Sequence, residues 1–298
     1  MQIANQISIL ASFYWNPPKD AFTIPYLDLS VAWYGILFAA GFVFGYFILI
    51  PIVSKKLDNR ERGLVFADQV TWFIVAGALI GARLGHVLFY DWAYYANHPM
   101  EILMIRKGGL ASHGGTLGVL IGLCLFLYWN RKRFPEITFI TLLDILVIPT
   151  AFTVTFIRIG NFVNQEILGT ETNLPWGVIF GHPADGSAPT MRHPAQLYEA
   201  AIYLATFILL YSMWKVFGNR LKTGILSGLF FILVFGSRFL IEFIKVPQGS
   251  ILDETFLQMG QYLSIPFILF GIFLMFHAST MAFFRTFTNF ARTFFHVR

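Results

Sequence analysis

Apolar residues fall in seven runs of roughly twenty, over 31–53, 68–90, 110–129, 138–158, 196–217, 224–245 and 261–284. A helix of about twenty apolar residues crosses the hydrocarbon of a bilayer. Hydrocarbon offers no partner for backbone N–H and C=O groups, so each run is expected to be an α-helix. The pattern predicts an all-α integral membrane protein. Seven transmembrane helices form a domain over 31–284, with an arm at 1–30 before it and a basic tail at 285–298 after it. The longest polar stretch, 159–195, is rich in Gly, Pro and Asn. Loops beyond about 15 residues are uncommon unless they carry function. Residues 176–180 read as a strand, so a small cap is expected there. In 281–298, Phe283, Phe284, Phe287, Phe290 and Phe294 recur at helical spacing, the pattern of an amphipathic helix on a membrane surface.

Charge orients the spans. The loops 54–67, 130–137 and 218–223, with Lys215 and the tail, hold Lys55, Lys56, Arg60, Arg62, Arg131, Lys132, Arg133, Lys215, Arg220, Lys222, Arg285, Arg292 and Arg298. The opposite side holds Lys19, Arg106, Lys107, Arg192 and Lys245. The richer side is expected to be cytoplasmic, which puts the N-terminus and the 159–195 cap outside and the C-terminus inside. Composition agrees with membrane residence: 56% of residues are hydrophobic and 12% charged, where a soluble domain has roughly 25% charged. The net charge of +5 is then a property of the loops and no nucleic-acid partner is expected. The first thirty residues lack the basic start and cleavage site of a signal peptide. The single cysteine, Cys124, excludes an internal disulfide. It lies in an apolar run and reads as a small core residue, so any thiol chemistry belongs to a substrate.

Candidate chemistry comes from polar residues inside the spans. Arg83, Arg158 and Arg238 each cost about 2.5–3.5 kcal/mol near a helix centre, which makes them functional candidates. In the orientation above all three fall toward the outer side, as do Tyr34 and His113, so one outward-facing polar chamber is expected. Arg238 and Glu242 share a helical face and can also pair with each other. His113 sits at a helix entrance between paired glycines, where backbone can approach a ligand. Asp144, in the inner half of its run, is expected to fix helix packing. Gly77, Gly81 and Gly85, and likewise Gly114, Gly118 and Gly122, form small-residue faces suited to close helix contact. The densest polar run is 158–169, with Arg158, then Asn161, Asn164, Gln165 and Glu166 between Gly160 and Gly169. Arg offers a rigid fork for phosphate or carboxylate, and the amides and carboxylate add donors and acceptors, a composition suited to a polar headgroup. The histidines lack metal-ligand spacing and no nucleotide loop is present, so neither a metal nor a cofactor is expected.

The same run resembles the signature of bacterial prolipoprotein diacylglyceryl transferases, Gly-Arg-x-Gly-Asn-Phe-x-Asn-x-Glu-x-x-Gly. Arg158, Gly160, Asn161, Phe162, Asn164, Glu166 and Gly169 match in order, and Ile157 stands at the leading Gly. Further motifs of that family are similar to Trp33-Tyr34-Gly35, Gly81-Ala82-Arg83-Leu84-Gly85, His113-Gly114-Gly115, the stretch from Arg192 to Glu199, Arg238-Phe239-Leu240-Ile241-Glu242-Phe243 and Gly260-Gln261-Tyr262-Leu263-Ser264. Val234, Lys245 and Gln248 depart from a Tyr, an Arg and an Asp that many members carry. The resemblance implies transfer of the diacylglyceryl group of phosphatidylglycerol to the lipobox cysteine of a prolipoprotein, with a thioether formed and glycerol phosphate released. It implies a bacterial inner-membrane enzyme whose partners are phosphatidylglycerol, the prolipoprotein signal peptide and membrane lipids, with its site toward the outer leaflet. Arg158 and Arg238 would hold the phosphate, His113 would act as base or orienter, and Tyr34, Asn161 and Glu166 would position the headgroup. Arg83, Asn164, Gly169 and Glu242 complete the candidate substrate contacts. An outward-facing lipid or anion transporter is the alternative reading of the same basic chamber.

Overall fold

Among the described residues, seven helices are long and apolar enough to cross a membrane. They are α1 (Trp33–Lys56), α2 (Arg60–Phe89), α4 (Ser112–Asn130), α5 (Phe139–Val163), α6 (Ala195–Phe217), α7 (Ile225–Ile241) and α8 (Met259–Phe276). A short α3 (Trp92–Asn97) follows α2. The computed structural model describes residues 13–26, 29–104, 108–247 and 257–276; the amphipathic helix expected over 281–298 lies outside them. Two boundaries differ usefully from the apolar pattern. The α2 helix begins at Arg60 because Asn59 caps it, its side chain accepting from Arg62 N at 2.9 Å, so two polar turns precede the apolar run. The α5 helix runs on to Val163, which places Asn161 on helix rather than beyond it and Arg158 more than a turn from its end.

Contacts divide the chain into two units, one of residues 49–142 and one of residues 1–48 with 143–298. In the first, α2 and α4 pack backbone to backbone. A Cβ on Gly85 would lie 2.7 Å from the Gly114 Cα, and one on Gly77, Gly81 or Gly118 would run into a carbonyl of the opposing helix. The small-residue faces read from sequence are this contact. Farther along the pair, Phe66 sits edge-on to Phe126 and Phe134 at 5.0 and 5.1 Å. Cys124 is exposed rather than part of a core. It lies two residues beyond Gly122, about 200° round the helix from the glycine face.

In the other unit, Asp144 of α5 accepts from Gly224 N, Ser227 N and Ser227 Oγ at 2.6–2.8 Å, so it caps the start of α7 and fixes packing as expected. Beside the helices lies a small sheet. Strand β4 (Val178–Phe180) pairs in parallel with β1 (Phe13–Trp15) and antiparallel with β5 (Met191–Arg192). The pairing with the N-terminal arm is not visible in the sequence pattern. A hairpin of β2 (Asp20–Ile24) and β3 (Leu29–Ala32) leads into α1 and takes up residues 31 and 32, which the apolar run assigned to helix. Phe162, Leu168, Val178 and Phe180 form a buried apolar cluster with Trp15 and Val246 against it. The Trp15 indole stacks on Phe162 at 4.8 Å and donates to its carbonyl at 3.0 Å. In the loop before β5, burial pushes the Asp185 carboxyl up. Hydrogen bonds from Ser187 and the charge of Arg192 outweigh it and hold the group below its ordinary value.

A methyl group at Gly118 has only backbone to displace, whereas one at Gly236 meets nothing within 4 Å. Gly118→Ala should therefore lower the thermal midpoint in detergent by several degrees and Gly236→Ala should leave or raise it. Equal midpoints would mean that the α2–α4 contact is looser than described.

Candidate active site

The end of α5 and the turn after it fold the polar run back on itself. Gln165 and Ile167 have φ of 55° and 59°, the left-handed region that a β-branched residue rarely adopts. Between them, Glu166 N donates to the Asn161 carbonyl at 3.0 Å. Its carboxylate Oε1 accepts from Asn161 Nδ2 at 2.8 Å and Asn164 Nδ2 at 3.4 Å. Arg158, one turn earlier, donates from its NH1 to Asn161 Oδ1 at 3.2 Å. The chain thus reads Arg158, Asn161, Glu166 as one hydrogen-bonded line. Backbone strain of this kind clusters at functional sites. Tyr34 of α1 joins them because Gly160 has no side chain: a Cβ there would lie 2.8 Å from the Tyr34 ring. Phe162, next to Asn161, points into the apolar cluster and anchors the run to the sheet.

The loop is pinned from both sides. Thr170 N donates to Ile244 O at 2.8 Å and Val246 N to Leu168 O at 3.0 Å. Gly169 is required here because any side chain would meet the His193 carbonyl. Helix α6 supplies two residues that sequence reasoning left out of the site, Gln196 and Glu199, both without exposed surface. Gln196 Nε2 donates to the Glu166 carbonyl at 2.6 Å. Glu199 Oε2 lies 3.0 Å from Arg158 Nε, and its Oε1 accepts from Lys245 Nζ at 2.7 Å. Tyr203, one turn on, has its ring 5.9 Å from the Arg158 guanidinium. The signal for Glu199 was available: a carboxylate inside an apolar run is as costly as the arginines that drew attention.

Glu242 opens a 3-10 turn, Glu242–Ile244, after α7. Its carboxylate accepts from Lys245 Nζ at 3.4 Å and packs on Gly260. The alternative internal pair of Arg238 with Glu242 is not made. Among the described residues, Arg238 has no carboxylate within 4.0 Å.

The remaining candidates belong to the unit of residues 49–142. His113 stands exposed in the first turn of α4, its ring 5.6 Å from Tyr90 and 6.0 Å from Phe89. Arg83 is 4% exposed. Its guanidinium donates to the carbonyls of Glu101, Ile102, Gly108 and Gly109 and lies 4.9 Å from the Tyr95 ring. Positive φ at Gly108 and Gly109 accompanies this inward turn of the carbonyls. Where the sequence suggests a headgroup contact, four backbone oxygens occupy the fork, and they hold the loop that leads into α4.

The chain is similar to known proteins over most of its length. The family model described as prolipoprotein diacylglyceryl transferase matches residues 19–277. A relative from Protochlamydia amoebophila is 41% identical over 88% of this chain and 94% of its own length. One from Tolumonas auensis is 44% identical over 88% and 96%, and one from Porphyromonas gingivalis 40% over 91% and 96%. All three are named phosphatidylglycerol–prolipoprotein diacylglyceryl transferase.

If Arg83 clamps its loop, Arg83→Gln should lower the thermal midpoint by roughly 5 °C and speed proteolysis within 99–110, since buried carbonyls lose charged partners. Arg83→Lys should recover little, because an ammonium cannot span four acceptors. An unchanged midpoint and cleavage pattern in both variants would return Arg83 to the ligand contacts.

Proposed function

The chain belongs to the prolipoprotein diacylglyceryl transferase family, and on that premise we propose that it moves the diacylglyceryl group of phosphatidylglycerol to the cysteine thiol of a prolipoprotein. It is a multi-pass membrane protein and a transferase of lipoprotein biosynthesis. The shared transferase name of the relatives supports this reading over a transporter. The convergence of Arg158, Asn161 and Glu166 at the end of α5 supports the assignment of roles.

In the proposed reaction the acceptor sulfur attacks the glycerol carbon that bears the phosphate. A carbon–sulfur bond forms, the carbon–oxygen bond breaks, and the electron pair leaves with the phosphate. A phosphodiester with one negative charge becomes a phosphomonoester with two. Arg158 and Arg238 meet that growing charge, so their contacts strengthen in the transition state. Tyr34, Asn161, Asn164 and Glu166 orient the glycerol headgroup. Gly169 and Glu242 hold the backbone around them. The thiol must react as thiolate, and His113, carried by its sequence motif, takes the proton. Arg83 serves by holding the loop before His113.

The excess of Lys and Arg on one set of loops supports an N-terminus outside, a C-terminus in the cytoplasm and a site toward the outer leaflet of the inner membrane. A reporter active only in the cytoplasm should work when fused after residue 298 and be silent at residue 1; the reverse result would overturn the orientation.

The reaction is tested by mass spectrometry of a lipobox peptide incubated with the enzyme and phosphatidylglycerol, with a gain of one diacylglyceryl group expected. In that assay Arg158→Lys keeps charge but loses the fork, so turnover should fall steeply with a modest change in lipid affinity; Arg158→Ala should lose both. His113→Asn should fall about 10²–10⁴-fold near neutral pH and recover partly as pH rises. Near-normal transfer by both Arg158 variants would make Arg158 an ordinary helix end.

A further inference from the structure

Among the described residues, Glu199 is the acidic side chain without exposed surface, at 0%. A lone buried carboxylate is costly, and it persists where cations pair with it. Glu199 has two, drawn from distant parts of the chain: Arg158 from the end of α5 and Lys245 from the segment after α7. Lys245 is itself 4% exposed and also reaches Glu242. These two cations and two carboxylates cancel. Glu199 lies just past the first turn of α6. Three residues earlier, Gln196 holds the carbonyl of Glu166. One helix end thus grips the polar run at two points.

We propose that Glu199 is a positioning residue for diacylglyceryl transfer, a shared counter-ion that fixes the Arg158 guanidinium by its Nε edge and locks Lys245 beside it. This rests on the reading of Arg158 as the phosphate ligand. The physical argument concerns competition for charge. Without the Glu199 carboxylate, Arg158 is a buried cation whose remaining anionic neighbours are Glu166, through Asn161, and the lipid phosphate. The ground-state phosphodiester then becomes its counter-ion. Binding of the lipid holds or tightens, while the guanidinium loses the fixed orientation that serves the departing phosphate. Contacts that strengthen the ground state and transition state equally do not raise turnover, and a misplacement of about 1 Å in a positioning group can cost 10²-fold.

The experiment measures kcat and KM for phosphatidylglycerol with a lipobox peptide in Glu199→Gln, Glu199→Asp, Arg158→Ala and the double variant Glu199→Gln/Arg158→Ala, alongside thermal midpoints. Glu199→Gln should lose about 10–100-fold in kcat with KM unchanged or lowered. Glu199→Asp keeps the charge but withdraws it by one methylene, and should show a smaller kcat loss at a near-normal midpoint; it carries the test if the Gln variant fails to fold. In the Arg158→Ala background, Glu199→Gln should cost nothing further, because its effect passes through Arg158. Normal kcat in Glu199→Asp together with normal or additive behaviour of Glu199→Gln overturns the proposal. Normal transfer by Arg158→Ala instead sinks the reading of Arg158, which separates the two failures.

Discussion

Arg158 can lie among apolar helices because the Glu199 carboxylate comes within 3.0 Å of its Nε. A charge moved out of water must bring its partner or lose its charge. The partner here sits on α6, so the end of α5 is fixed against α6. The same carboxylate accepts from Lys245, so the segment after α7 is fixed too. Three chain segments meet because one anion serves two cations. The position of the polar run depends on that meeting.

What the ion pairs do in the helical part, a small apolar cluster does at the sheet. Asn161 and Phe162 are neighbours with opposite tasks. Asn161 lies on the hydrogen-bonded line to Glu166, and Phe162 lies in the cluster with Leu168, Val178 and Phe180. The turn between them and Gly169 has to reverse sharply, which the left-handed backbones of Gln165 and Ile167 accomplish. Strain there is tolerated because hydrogen bonds from Gln196 and to the 244–246 segment hold both sides of the turn.

The unit of residues 49–142 rests on a different device. Lipid tails are as apolar as leucine, so helices gain from contact mainly by approaching closely. Glycines on both α2 and α4 let the backbones touch. Arg83 then closes the loop between them by binding four of its carbonyls.

Seven helices, their number and approximate ends were legible in the chain, because apolar length and backbone hydrogen bonding leave a membrane span no other form. The glycine faces were legible for the same reason of local spacing, and so was the packing role of Asp144. The run 158–169 stood out as the densest polar stretch from its residue types alone. Only the tertiary structure decided who pairs with whom. Arg238 and Glu242 share a helical face, yet Glu242 turns to Lys245 once the helix gives way to a 3-10 turn. Arg83 has the same residue type and cost of burial as Arg158, yet one fork faces carbonyls and the other a carboxylate. The parallel pairing of β1 with β4 joins residues more than 160 positions apart, a distance no local pattern spans. Composition and period report what a residue needs; which neighbour meets that need is set by segments far away in sequence.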